Sequence, residues 1–311
     1  MKLKELFDVW LNKYAKHTIK LRTYTTYQRI FDKHISPIIG DYELKELTSS
    51  VIQDFILFKT EKGNLINGKA LAYNTVNSIV SLLKQTLKYA YNLKLISLDV
   101  VSNYKLPKIK EKKIEVFNVK EQQKLESYCL NSKTNYIGIV LCLYTGIRIG
   151  ELLALTWDDI DFDKKLLSIN KNVCSLKIDG KNVLHIDAPK TKSSNRIIPI
   201  PRQLMPYLRK IKKSSKSIYI ITTRNNTMVG TRSYQKTYLN ILKRLKIKYR
   251  NFHSLRHTMA TRALELGMDV KSLSEILGHK NATITLNRYS HSLLKYKIDM
   301  MNKLGKNITN Y

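Results

Sequence analysis

The stretch HSLRHTMATRALELG, residues 253–267, carries two patterns at once. Leu255, Met259, Ala263 and Leu266 recur at helical spacing and define a core-facing side. His253 and Arg256 stand three positions apart, about 60° around a helix axis, so they converge at one edge of that side. An imidazole and a guanidinium placed together form a donor pair suited to a phosphoryl group. The plainer reading is a capping histidine and a peripheral arginine. His253 and His257 are four positions apart, the spacing of a zinc-protease helix. Position 254 is serine, however, not the glutamate that such chemistry needs, so no metal is expected.

Three other stretches gain meaning beside this one. In TGIRIGELLALTW, residues 145–157, Gly146 and Gly150 bracket Arg148 and a helix begins just beyond it. That suggests a buried guanidinium held close to backbone, whose planar fork matches two phosphate oxygens, with Glu151 steadying it. A surface ion pair of little consequence is the alternative. In HIDAPKTKSSNRIIPIP, residues 185–201, Lys190 and Lys192 lie where one strand turns into the next. A lysine at a hairpin tip can reach a groove and donate a proton to a leaving oxygen; taken alone, a basic turn is simply solvated. In ILGHKNATITLNRYSH, residues 276–291, His279 follows a glycine that ends a helix, and Tyr289 comes ten residues later. Asp158, Asp159 and Asp161 read as a structural loop after the Arg148 helix.

Charge points to the partner. Lys plus Arg number 55 against 24 Asp plus Glu, a formal net charge of +31. Residues 1–107 hold 16 basic and 9 acidic side chains (+7), and residues 108–311 hold 39 and 15 (+24). A surplus of this size favours a polyanion, nucleic acid first and an anionic membrane surface second. Coding bias toward lysine accounts for individual residues better than for the total. Cys129, Cys142 and Cys174 are odd in number and widely spaced, so neither a disulfide framework nor a metal pattern is expected. The N-terminus lacks a signal-peptide core. The most apolar run, YIGIVLCLYTGI, is shorter than the roughly 20 residues of a membrane span and reads as a buried helix. Together these predict a soluble cytoplasmic protein with no membrane partner.

The first hundred residues read as four helices without a strand. LKELFDVWLNKYAKH and RTYTTYQRIFDKHISPIIG carry apolar residues at helical spacing, the second stopped by Pro37 and Gly40. LTSSVIQDFILFKTEKG opens on a Thr/Ser cap. AYNTVNSIVSLLKQTLKYAYNLKLI places Val76, Ile79, Val80, Leu83, Leu87 and Ala90 on one side. LPKIKEKKIEVF, with Pro107 and a charge run, reads as a linker. The boundaries expected are therefore a helical domain over 1–107, a linker over 108–117 and a second domain over 118–311. The second domain is mainly α with a small antiparallel sheet: LLSINKN, NVLHIDA and RIIPIP alternate as strands, and CSLKIDGK is a turn-rich separator.

Taken in order, Arg148, Lys190, His253, Arg256, His279 and Tyr289 resemble the catalytic set of the tyrosine recombinase, or phage integrase, family. The glycines and spacing around each station carry that likeness, which covers essentially the whole chain. The resemblance implies an N-terminal helical bundle that binds the core site (SAM-like) and a C-terminal catalytic domain. The two domains are expected to close round duplex DNA as a clamp.

The implied chemistry needs neither metal nor ATP, and no cofactor is expected. Tyr289 attacks the scissile phosphate, forming a 3′-phosphotyrosyl link and releasing a 5′-hydroxyl that later reverses the step. His253 is the candidate base for a phenol of pKa about 10, and His279 bonds the phosphate. Lys190 matches the position of the general acid, with Lys192 its rival; Arg148 and Arg256 clamp the charged phosphorane. TRSYQKTY, residues 231–238, offers Arg232, Gln235 and Lys236, together with Lys192, as DNA contacts. The tail LLKYKIDMMNKLG docks either within its own chain or on a neighbour in a homo-tetrameric synaptic complex. An accessory or directionality factor is a further partner of such enzymes. The core-binding pattern begins at about residue 3, so no arm-binding domain is expected. Integration or excision of a mobile element is the leading expectation. Its alternatives are a Xer-like dimer resolvase, a strand-relaxing topoisomerase and a non-catalytic DNA-binding regulator.

Overall fold

The computed structural model describes the chain apart from residues 66, 103, 107–114, 133–135, 179–180, 188–194, 290–297, 299 and 306–311. It divides into two compact units, Met1–Lys112 and Lys113–Tyr311.

The first unit is helical. α1 (Leu3–Val9) buries Leu3, Leu6 and Phe7 and runs on into a wider π-helical turn over Trp10–Ala15. α2 (Leu21–Ile30) continues likewise through Phe31–Ile35 into α3 (Ser36–Ile39). Pro37 was expected to stop this helix. It sits instead within that continuous run, in the first turn of α3, and the chain leaves the helix at Gly40. α4 (Ser49–Glu61) is capped as its sequence suggests, the Thr48 hydroxyl accepting from the Val51 N–H. α5 (Tyr73–Asn92) buries all six of its expected core residues, and α6 (Asp99–Ser102) is a single turn. Phe7 and Phe31 stack at 3.7 Å in the centre of this core.

Early in the second unit comes Phe117, which the linker reading included in the linker. Phe117 is fully buried, and its N–H donates to the Thr258 hydroxyl at 3.0 Å. α7 (Val119–Leu130) and α8 (Ile137–Thr145) follow; α8 is buried nearly all round, as its apolar run requires. Among the described residues no helix is long and apolar enough to cross a membrane. α9 (Ile149–Ala154) leads to β1 (Ile160–Asp161) and β2 (Leu166–Ile169). β3 (Asn172–Ile178), β4 (Lys181–Asp187) and β5 (Arg196–Pro199) complete the strands.

The described strands form two antiparallel sheets, β1-β2-β5 and β3-β4. CSLKIDGK is thus mostly strand, with Cys174 paired to His185. β4 and β5 lie in different sheets; Lys190 and Lys192, expected at a hairpin tip between them, lie outside the described residues. Asp159 is structural, as expected: it accepts from the Thr156 N–H and hydroxyl and pairs with Lys171.

Helices return as α10 (Met205–Ser214), α11 (Thr231–Arg244), α12 (His253–Glu265), α13 (Val270–Leu277) and α14 (Ala282–Tyr289). Leu255, Met259 and Ala263 of α12 are buried. Leu266, expected with them, lies past the helix end and is 87% exposed, so the core stripe stops one turn earlier.

Candidate active site

The site is organised around the C-terminal end of α13. An α-helix leaves its last four carbonyls without intrahelical partners. Here Gly278 turns left-handed (φ 64°). Its N–H then reaches the Glu275 carbonyl, and the His279 N–H reaches that of Ser274, both at 3.0 Å. The next three carbonyls are each met by a different arginine. Arg196 Nε donates to Ile276 at 2.6 Å, Arg256 Nη2 to Leu277 at 2.7 Å and Arg148 Nη2 to Gly278 at 3.1 Å. The partial negative charge of a helix C-terminus favours such cations.

Glu151 joins the group from the first turn of α9. Its carboxylate accepts from Arg148 Nη1 (2.7 Å) and the Arg148 N–H (2.9 Å), and from Arg196 Nη2 (2.8 Å) and Nη1 (3.2 Å). Burial pushes the Glu151 carboxyl up, but hydrogen bonds and charge from Arg196, with the charge of Arg148, outweigh it and hold the group below its usual range. Arg256 donates its other arm to the Gly146 carbonyl at 2.8 Å. Its own burial, then the charge of Arg148, lower its pKa to about 9, which leaves it charged at neutral pH. Arg256 is therefore central and 2% exposed, not peripheral. Arg148, expected to be buried, keeps 36% of its side chain exposed. Gly146 adopts φ +63°, and a Cβ there would lie 2.8 Å from Leu277 Cδ2. That close, left-handed turn is what lets Arg148 and Arg256 approach the same helix end.

Tyr289 is 2% exposed and packs with Met259, Ala263, Leu273 and Leu277. Its hydroxyl lies 2.7 Å from Nδ1 of His257. The sequence reading paired it with His253. That residue is exposed and meets His257 edge-on, ring centres 4.6 Å apart. His279 is half-buried, with Nδ1 2.7 Å from the Thr285 hydroxyl.

Arg148, Glu151, Arg256, His257, His279 and Tyr289 thus gather about α13 and the helices beside it. Lys190 and Lys192 lie outside the described residues. Arg232, Gln235 and Lys236 share the exposed face of α11, opposite buried Tyr234 and Tyr238. Gln235 also lines a cleft of about 240 Å³ with His253, Asn251 and Ile147. Among the described residues no group of three or more His, Cys, Asp or Glu could hold a metal. Arg196 escaped the sequence reading, and His257 entered it only as a rejected metal ligand. Arg196 had left a trace, since it alternates with Ile198 and Ile200 on the inward side of β5.

Known proteins resemble this chain in sequence and in fold. Residues 114–295 match the phage integrase family, and residues 2–59 match the phage integrase N-terminal SAM-like domain. A XerC-like tyrosine recombinase of Caldanaerobacter subterraneus is 30% identical over 97% of this chain and 82% of its own length. The ICEBs1 integrase of Bacillus subtilis is 27% identical over 90% of this chain and 77% of its own. The transposase of transposon Tn916 from Enterococcus faecalis is 30% identical over 61% of this chain, and the match spans 51% of that protein. In fold, the Tn1549 transposon integrase bound to a circular-intermediate DNA superposes with a TM-score of 0.83 at 22% identity, covering 97% of this chain and 99% of that one. The chain belongs to the phage integrase family. It is a tyrosine recombinase, a site-specific enzyme of the kind that integrates mobile elements.

Proposed function

We propose that Tyr289 is the nucleophile of this recombinase and that the arginine cluster receives the scissile phosphate of duplex DNA. The supporting observation is a tyrosine hydroxyl on an imidazole, in a cluster with a twice-anchored buried arginine, beside a second arginine that keeps an open edge. In the reaction Tyr289 Oη bonds to phosphorus and the bond to the 5′-oxygen breaks. The phenol's proton passes to an imidazole, and Lys190, the proposed general acid, protonates the leaving oxygen. Arg148 and Arg256 stabilise the added negative charge without a divalent ion. His279 is assigned to the phosphate.

At 2% exposure, Tyr289 reaches a phosphate only after α14 shifts. His257 therefore holds the phenol at rest, and His253, exposed beside it, takes the proton in the reacting arrangement. His253→Ala is expected to slow cleavage about 10²-fold, and His257→Ala less than tenfold; the reverse order would make His257 the base.

The helical N-terminal unit is assigned to the core site, and Arg232, Gln235, Lys236 and Lys192 to further DNA contacts. Such binding should weaken steeply with salt. A homo-tetramer is the proposed synaptic form, supported by the lambda integrase tetramer bound to a Holliday junction, a fold neighbour at TM-score 0.67 and 18% identity. A cytoplasmic setting with access to the chromosome follows from that role. Integration and excision of a mobile element is the reading favoured by the transposon and ICEBs1 relatives. Dimer resolution is the second, favoured by the near full-length XerC-like match.

The test is covalent trapping on nicked duplexes tiled from the DNA flanking the gene, in EDTA, with peptide mapping of the adduct. DNA on Tyr289, lost in Tyr289→Phe with binding retained, supports the assignment; an adduct elsewhere overturns it. Lys190→Ala should be rescued by a 5′-thio leaving group, which needs no proton. Absence of rescue would move the acid to Lys192.

A further inference from the structure

We infer that Arg196 is a positioning residue of the cleavage step, the third arginine of the site, acting on the phosphate through Arg148 and His279. This rests on the recombinase reading. Arg196 is 9% exposed, so it is closed off from a duplex. Its guanidinium is divided between two tasks. Two nitrogens grip the Glu151 carboxylate, which in turn holds both the guanidinium and the backbone N–H of Arg148. The third, Nε, holds the Ile276 carbonyl, three residues before His279.

Among the described residues Arg196 is thereby the one side chain that bonds both Glu151 and the end of α13 from a β-strand. β5 anchors it, because Arg196 pairs with Ile169 of β2 on the inward face of the sheet. The sheet therefore sets the distance between a residue that meets phosphate charge (Arg148) and one that meets a phosphate oxygen (His279). A planar fork with a third donor at Nε is required for this. Lysine keeps the charge but cannot make three fixed bonds in two directions.

A shift of about 1 Å in a group that meets the transition state can slow a reaction on the order of 10²-fold. Arg196→Lys should therefore bind nicked duplex normally and form the Tyr289 adduct on the order of 10²-fold more slowly. A second substrate separates positioning from general damage. If the reacting phosphate is replaced by a neutral methylphosphonate, one anionic oxygen is gone and the demand on Arg148 falls. The Arg196→Lys defect should then shrink to a few-fold, as should that of Arg148→Lys.

The experiment is single-turnover adduct formation by the full chain, unaltered, Arg196→Lys and Arg196→Gln, on phosphate and methylphosphonate duplexes, with the melting temperature of each variant. A large phosphate defect and a small methylphosphonate defect establish the role. Equal defects on both substrates reduce Arg196 to a structural residue, as does a phosphate defect below threefold. An unaltered chain that forms no adduct on either duplex overturns the recombinase reading itself, and this assignment with it.

Discussion

Lys59 in the N-terminal unit and Arg256 in the C-terminal unit are both buried cations, 1% and 2% exposed, held in opposite ways. Arg256 donates to two backbone carbonyls and sits beside two more arginines, whose charge Glu151 offsets only in part. Among the described residues Lys59 Nζ meets no hydrogen-bond acceptor; it lies 5.5 Å from the ring centre of Phe55 and 5.6 Å from that of Phe58, and burial lowers its pKa. Burial costs either ion several kcal/mol unless donors are satisfied. In the second unit, orphan carbonyls of α13 and a carboxylate meet that cost. In the first, faces of aromatic rings offset only part of it.

The contrast can be broken at four points. Arg256→Met should have the largest effect. It strands the carbonyls of Gly146 and Leu277, lowers stability by about 3 kcal/mol and slows adduct formation on the order of 10³-fold. Chemical denaturation and single-turnover cleavage check both, and a loss under 1 kcal/mol would show that the bonds to carbonyl count for little. Gly146→Ala comes next. A side chain at φ +63° against Leu277 should cost about 2 kcal/mol, seen as a lower melting temperature with Arg148 and Arg256 displaced.

Lys59→Met should stabilise the chain, by about 1 kcal/mol, because a thioether of similar length fills the same apolar space. A lower melting temperature would mean that the ammonium is favourably held after all. The smallest effect is in acid. Glu151 has its pKa lowered by folding, so its contribution is complete above the unfolded value of about 4.3 and fades as pH falls through the lower folded value. A plot of melting temperature against pH from about 5 downward should therefore be steeper for the unaltered chain than for Glu151→Gln.

Much of this was legible in the sequence because it is local. The α4 cap, the buried stripe of α5 and the α13–Gly278 stop each depend on neighbours within a turn or two. The likeness at Arg148, His253, Arg256, His279 and Tyr289 was local too, since each motif sits in one short run. Pro37 misled because proline within a helical run and proline at its end look alike until the hydrogen bonds are known. CSLKIDGK misled because strand pairing outweighed a glycine and an aspartate nearby.

By itself, then, the sequence determined the family, the mainly helical class and the residue types able to handle a phosphate. Only the tertiary structure decided who holds whom: Arg196 beneath Glu151, His257 rather than His253 at Tyr289, and three arginines on successive carbonyls at the end of α13 and its Gly278 cap. Those partners lie from 21 to 130 residues apart. They meet because buried carbonyls and buried guanidiniums must find one another once water is excluded, and no local pattern records where that happens.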